Sequence, residues 1–222
     1  MPVPVLRREP ESVRRDVKRT FNAETAAAAV GPLERGCEIY GLSKGQFSLC
    51  DLLLHVLDHT GPADVVISTW TAANADLAHC RVLLDDGRIT RMRWVVDFSF
   101  PARQPAYCAH LRERFGDDSI AVCANHAKFL LVRSPGWDCV VRTSMNLNRN
   151  RRLESYEISE SREMAEFLSE IVGATFQDGA TISEAVRSPG AAASSTSGIA
   201  GEIERSWAPV SHAGGGRGIS CD

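Results

Sequence analysis

Three short apolar runs, spaced by stretches of helical periodicity, set the strongest limit on what this chain can become. Asp64–Thr69 (DVVIST), Arg91–Phe98 around Trp94-Val95-Val96, and Ser119–Ala124 each have the length and β-branched content of a buried strand. Between them, Asn74–Leu84 and Tyr107–Phe115 read as helices, stopped by Asp85-Asp86-Gly87 and by Gly116. Upstream, Cys37–Leu42 reads as a short strand. Phe47–His59 follows as a helix with Leu49, Leu52, Leu53, Val56 and Leu57 on one stripe. Downstream, His126–Val132 and Asp138–Arg142 form a strand pair around a Pro-Gly turn, and Tyr156–Ser159 is one more strand. Ser161–Val172 is an amphipathic helix striped by Met164, Phe167, Leu168 and Ile171. This order predicts an α/β sandwich, with a central mixed sheet flanked by helices.

The ends differ from the middle. Residues 1–35 are charged, then alanine-rich, and Glu11 to Val30 is predicted as a helix in an N-terminal helical or flexible segment. Residues 36–177 form the expected domain. Residues 178–222, rich in Gly, Ala and Ser, are expected to be a flexible tail. A hydrophobic fraction of 44% suffices for a core, and a net charge of −3 means that any polyanion must meet a local patch. The seven cysteines include no CxxC pair, so free thiols in a reducing compartment are expected rather than a zinc site. His55 and His59, four apart on a helix without a glutamate between them, read as structural. The first residues lack a signal-peptide pattern, and no window approaches the ~20 apolar residues of a membrane span. The expectation is a soluble, cytoplasmic protein.

Chemistry concentrates between Asn125 and Ser159. On a strand, His126 and Lys128 point to one side. A lysine on a core strand needs a partner, because a bare buried ammonium costs several kcal/mol, roughly, and an anionic ligand supplies one. With Arg133–Trp137 as a five-residue loop, His126 faces Ser144, Lys128 faces Arg142, and Asn146 lies one pair beyond. Imidazole can attack phosphorus. Lys128 and Asn146 can hold non-bridging oxygens, and Ser144 can add a hydrogen bond. Glu154 can orient the imidazole through its other N–H, the alternative being a surface charge.

The HAK triplet, TSMN with its serine eighteen residues after His126, and NRNRRLE resemble the phospholipase D superfamily signature, in which HxK is followed by a small-Ser-x-Asn element and a later Glu. The resemblance spans roughly Cys37 to Phe176. It implies a phospholipase D-like fold, catalysis by His126, Lys128, Ser144, Asn146 and Glu154 through a phosphohistidine, no metal or other cofactor, and two such motifs meeting across a two-fold axis. This chain has one HxK, so the implied assembly is a homodimer. Two positions depart from the pattern: Arg133 stands where an acidic residue is usual, and Thr143 where glycine is usual.

Arg142, Asn148, Arg149, Arg151 and Arg152 lie beside the motif and are candidate substrate-binding residues, against the default of a solvated face. Trp137 at the hairpin tip is a candidate base-stacking residue or a local packing one. Asp97, at a strand end, reads as a turn residue. Together these features predict a phosphodiesterase acting on nucleic acid. A catalytically degenerate nucleic-acid-binding protein and a phospholipid hydrolase are the alternatives.

Overall fold

The computed structural model describes residues 14–19, 23–148 and 151–188. In chain order the elements are β1 (Arg14–Arg19), α1 (Ala26–Val30), β2 (Cys37–Ser43), α2 (Leu49–Thr60), β3 (Ala63–Thr69), α3 (Asn74–Asp85), β4 (Ile89–Asp97), α4 (Phe100–Arg103) and α5 (Pro105–Phe115). They continue with β5 (Ile120–Cys123), β6 (Phe129–Ser134), β7 (Trp137–Thr143), β8 (Glu154–Glu160), α6 (Arg162–Asp178), β9 (Ala180–Thr181) and α7 (Ile182–Arg187). The strands form one mixed sheet in the order β1-β2-β8-β7-β6-β3-β4-β5-β9. The expected α/β class is therefore found.

The central strands are apolar on successive residues because both of their faces are covered. Val65, Ile67, Trp94, Val96, Leu130, Val132, Cys139 and Val141 face the larger core, built with α1, α2, α3, α5 and α7. The alternate residues Val66, Val95, Phe129, Leu131 and Val140 pack under Met164, Ala165 and Val172 of α6. Local signals start the helices where they start. Ser48 and Asp51 close a capping box on α2, and the Ser161 hydroxyl accepts from Met164 N–H at the head of α6.

Strand direction positions the site. β3, β4 and β5 run parallel, β6 runs antiparallel to β3, and β7 and β8 continue the antiparallel order. The carboxyl ends of β3, β4, β5 and β7 therefore meet the beginnings of β6 and β8 at one edge. In open α/β sheets that edge is where ligands bind.

Four expectations change. The predicted helix from Glu11 to Val30 is instead β1, paired in parallel with β2 from Arg14↔Cys37 to Arg19↔Leu42, followed by the short α1; residues 11–13 and 20–22 lie outside the described residues. Pairing with the edge of β2 overrides a weak helical pattern, and Thr25 sets the later helix start by accepting from Ala28 N–H. The β6–β7 turn is Pro135-Gly136 rather than five residues, because Ser134 pairs directly with Trp137 and Gly136 takes φ 92°. The pairing shifts by one: Phe129, not Lys128, faces Arg142. The third and fourth changes concern where β6 begins, taken up below, and where the domain ends. Residues 180–187, expected in the tail, add β9 to β5 and bury Ile182 and Ala185 in the larger core. Residues 189–222 lie outside the described residues.

Asp117 ties this last piece down. It accepts from Arg112 Nε at 2.8 Å and Nη2 at 2.7 Å, and from the Ser183 hydroxyl, and these donors hold its carboxyl down from 3.8 to about 2. Ile182→Ala should cost about 2–5 kcal/mol in urea denaturation, the range for truncating a core aliphatic. An unchanged midpoint would detach α7 from the core. Asp117→Asn should lower the melting temperature at neutral pH. A carboxyl depressed in the folded state stabilises above its unfolded pKa and loses that as pH falls through its folded one. The gap between the two proteins should therefore close as pH drops from 3.8 to about 2.

Candidate active site

At the carboxyl edge a small buried polar group shapes the chain between β5 and β6. Ser68, Asp97 and Asn125 are 0%, 7% and 8% exposed. The Asn125 amide donates to Ser68 Oγ at 2.9 Å and to the Val95 carbonyl at 3.3 Å, while its Oδ1 accepts from Ala127 N–H at 2.9 Å. Ser68 donates onward to the Ala127 carbonyl at 2.8 Å. Asp97 accepts from Asn125 N–H at 3.1 Å and from the backbone and hydroxyl of Ser99. Side chains thus hold both backbone polar groups of Ala127, so β6 begins at Phe129. His126 and Lys128 sit on a tethered loop and not, as the sequence suggested, on the strand itself.

Lys128 Nζ lies 3.0 Å from the His126 carbonyl, to which it donates, and 3.4 Å from His126 Nδ1. An ammonium has donors only, so Nδ1 accepts. His126 is exposed and Lys128 half-buried. Burial pushes the Lys128 pKa down, while the nearby charge of Glu154 raises it. The Lys128 carbonyl accepts from Thr143 N–H at 3.1 Å, joining this loop to the end of β7.

Ser144 follows directly. Its hydroxyl donates to Glu154 and accepts from Ser155 N–H at 3.0 Å. Among the described residues Glu154 accepts from Ser144 and not from His126, so the orienting contact expected from the sequence is absent. Asn146 and Asn148 are half-buried, and their Oδ1 atoms are buried without a hydrogen-bond partner among the described residues. Between them Leu147 is bound to the β3–α3 loop: its N–H donates to the Thr71 carbonyl at 3.2 Å, and its carbonyl accepts from Ala73 N–H at 2.7 Å. His126, Lys128, Ser144 and Glu154 are thereby brought together, with the 146–148 segment fastened alongside.

The arginines fare differently. Arg142 lies opposite Phe129 and forms an ion pair with Glu157. Its guanidinium is thus engaged by a carboxylate of the neighbouring strand β8. Arg151 and Arg152 are exposed just before β8, and Arg149 lies outside the described residues. Arg133, at the departure noted above, pairs with Asp138 at 2.7 Å at the far end of the hairpin. Trp137 packs locally, under the Arg35 guanidinium at 3.9 Å. His55 Nε2 donates to the Gly31 carbonyl at 2.8 Å, and the ring is buried, in keeping with a structural role.

Sequence reasoning missed two neighbours. Trp70, just past β3, has its ring 5.9 Å from that of His126, and the Arg103 guanidinium lies 3.5 Å over the Trp70 ring. Both stand far from the HAK motif in sequence, and only the return of β3 and of α4 to the same edge brings them near. Cys123, at the end of β5, is pushed up to about 11 by burial and the charge of Asp97, so its thiol is a poor nucleophile at neutral pH.

No protein-family model and no curated protein matches the chain. Among solved structures it matches a phospholipase D family member, Nuc from Salmonella typhimurium, at 14% identity and TM-score 0.46, covering 65% of this chain and 96% of that one. NucT from Helicobacter pylori matches at 12% identity and TM-score 0.43, covering 63% and 96%. A polyphosphate kinase from Porphyromonas gingivalis matches at 10% and 0.47, covering 64% of this chain and 26% of the kinase. Among the described residues no helix is long and apolar enough to cross a membrane.

If the Asn125 group shapes the loop, Asn125→Ala should destabilise the protein by about 1–3 kcal/mol, the cost of leaving buried partners unmet. Denaturant unfolding checks this. A neutral result would make the loop's shape independent of that side chain.

Proposed function

We propose that this chain is a phosphodiesterase that cleaves nucleic acid through a phosphohistidine, without a metal, in a homodimer. The observation that carries the reading is the grouping of His126, Lys128, Ser144 and Glu154 at the carboxyl edge of the sheet. A nitrogen nucleophile there lies beside a cation and a hydroxyl that can stabilise a charged phosphoryl group.

An arriving phosphodiester draws the Lys128 ammonium off Nδ1 and onto a non-bridging oxygen. The Asn146 amide donates its N–H groups to another. Ser144, fixed by Glu154 and Ser155 N–H, lies next to them. An imidazole nitrogen of His126 then forms a bond to phosphorus while the bond to the leaving oxygen breaks. That oxygen takes a proton from the second copy's His126, since in-line displacement needs an acid opposite the nucleophile. Water, deprotonated by the same second histidine, attacks the phosphohistidine, releases a phosphate monoester and restores both rings. A two-fold axis beside the loop suffices to make the pair. Arg151 and Arg152, with Arg149, supply sequence-independent attraction for the polyanion.

The test is cleavage of nucleic-acid and phospholipid panels by the full chain in EDTA. Nucleic-acid cleavage should persist, and His126→Ala should abolish it with the fold intact. Mixed dimers with one His126→Ala chain should be nearly inactive, because the shared site loses its nucleophile or its acid. A fully active monomer, or turnover without His126, would overturn the reading, and cleavage of lipid alone would reassign the substrate. Replacing Arg149, Arg151 and Arg152 with Ala should flatten the salt dependence of binding. Glu154→Gln removes the charge that favours the Lys128 ammonium. The alkaline limb of the pH–rate profile should therefore move to lower pH, and a limb that stays in place would separate Lys128 from the reaction.

A further inference from the structure

Trp70 and Arg103 have no part in the chemistry just described, yet they form a preassembled stack beside it. Arg103 is exposed, but its guanidinium is held on three sides. Nε donates to Ser99 Oγ at 2.8 Å, Nη2 donates to the Trp70 carbonyl at 3.0 Å, and Cζ lies over the indole, 3.5 Å from its centroid. Ser99 is itself bonded to Asp97, which also anchors Asn125. The stack and the His126 loop therefore share one anchor. The far edge of the stack is Trp70, 5.9 Å ring to ring from His126.

A long side chain on a surface ordinarily keeps its rotamer freedom, and ordering one costs entropy. A guanidinium fixed over an indole by two hydrogen bonds is a planar cationic group held in place, and its outer face is a surface a ring can meet. Purine and pyrimidine rings stack on such surfaces whatever their sequence, and the charge favours the neighbouring phosphate. The bases of a duplex are already stacked and paired, so only an unpaired base can lie there. The tails of a phospholipid present no ring at all.

We propose that the Trp70–Arg103 stack is a nucleotide subsite. It receives the unpaired base next to the scissile phosphate on the outer face of Arg103, and selects single-stranded nucleic acid. The inference rests on the phosphodiesterase reading above and names the substrate of that same site.

The experiment measures binding, so it does not depend on turnover. Full-length His126→Asn protein is titrated, at fixed salt, with a short fluorescent single-stranded DNA, with a deoxyribose-phosphate polymer of equal length lacking bases, and with the corresponding duplex. The base-bearing strand should bind roughly tenfold tighter than the abasic one, the scale of one stacked base, and tighter than the duplex. Trp70→Ala and Arg103→Lys should bring that ratio near one, and Trp70→Phe should keep part of it. Arg103→Lys retains the charge and loses the plane, so it separates stacking from simple attraction even if Trp70→Ala fails to fold. Equal affinity for the base-bearing and abasic strands, equal affinity for the duplex, or an unchanged ratio in Arg103→Lys would overturn the subsite. Cleavage of abasic and ordinary strands alike by the wild-type protein would leave the histidine chemistry standing and remove the subsite. Base-dependent binding with no cleavage of any diester would do the reverse.

Discussion

The amide of Asn125 meets strands β3 and β4 at once, and the shape of the carboxyl edge follows from that contact. It donates to Ser68 and to the Val95 carbonyl, and its oxygen takes the Ala127 N–H, while its own N–H goes to Asp97. A buried amide left without these partners would be costly, so the partners and the loop form together. The loop in turn hands the Lys128 carbonyl to Thr143, and Thr143 and Ser144 bond to the Ser155 backbone. Four strands are thus coupled through a few side chains that carry none of the proposed chemistry themselves.

Much of the fold was legible because β3, β4, β6 and β7 are apolar on both faces and the helices between them carry clear stripes and stops. The parts that were not legible depend on partners distant in sequence. β1 is a charged stretch that becomes a strand only because the edge of β2 is there to pair with. Ile182 and Ala185 sit in a Gly- and Ser-rich neighbourhood, and nothing local announces that β5 offers them an edge and a core.

The site divides in the same way. His126, Lys128, Ser144 and Glu154 could be read from their types and spacing, and the structure brings them together. Their detailed pairing could not, because a one-residue shift in register changes every cross-strand partner. Arg142 was misplaced for that reason: with Pro135-Gly136 as the whole turn it falls opposite Phe129. Glu154 was expected on the imidazole, but Ser144 is nearer along the β7–β8 pair. Trp70 and Arg103 belong to no motif and emerge only when two chain reversals end at one edge.

The tethered loop has a consequence for heat. Strand residues are released only when the sheet separates, but the loop bearing His126 is held by side-chain hydrogen bonds to Asn125 and Ser68. Such local contacts open with a lower free energy than the core around Trp94 and Val122. Opening the loop needs only these side-chain contacts to break, whereas losing the strands needs the sheet to separate. The temperature range over which the His126 loop keeps its shape is tied to the contacts of one asparagine.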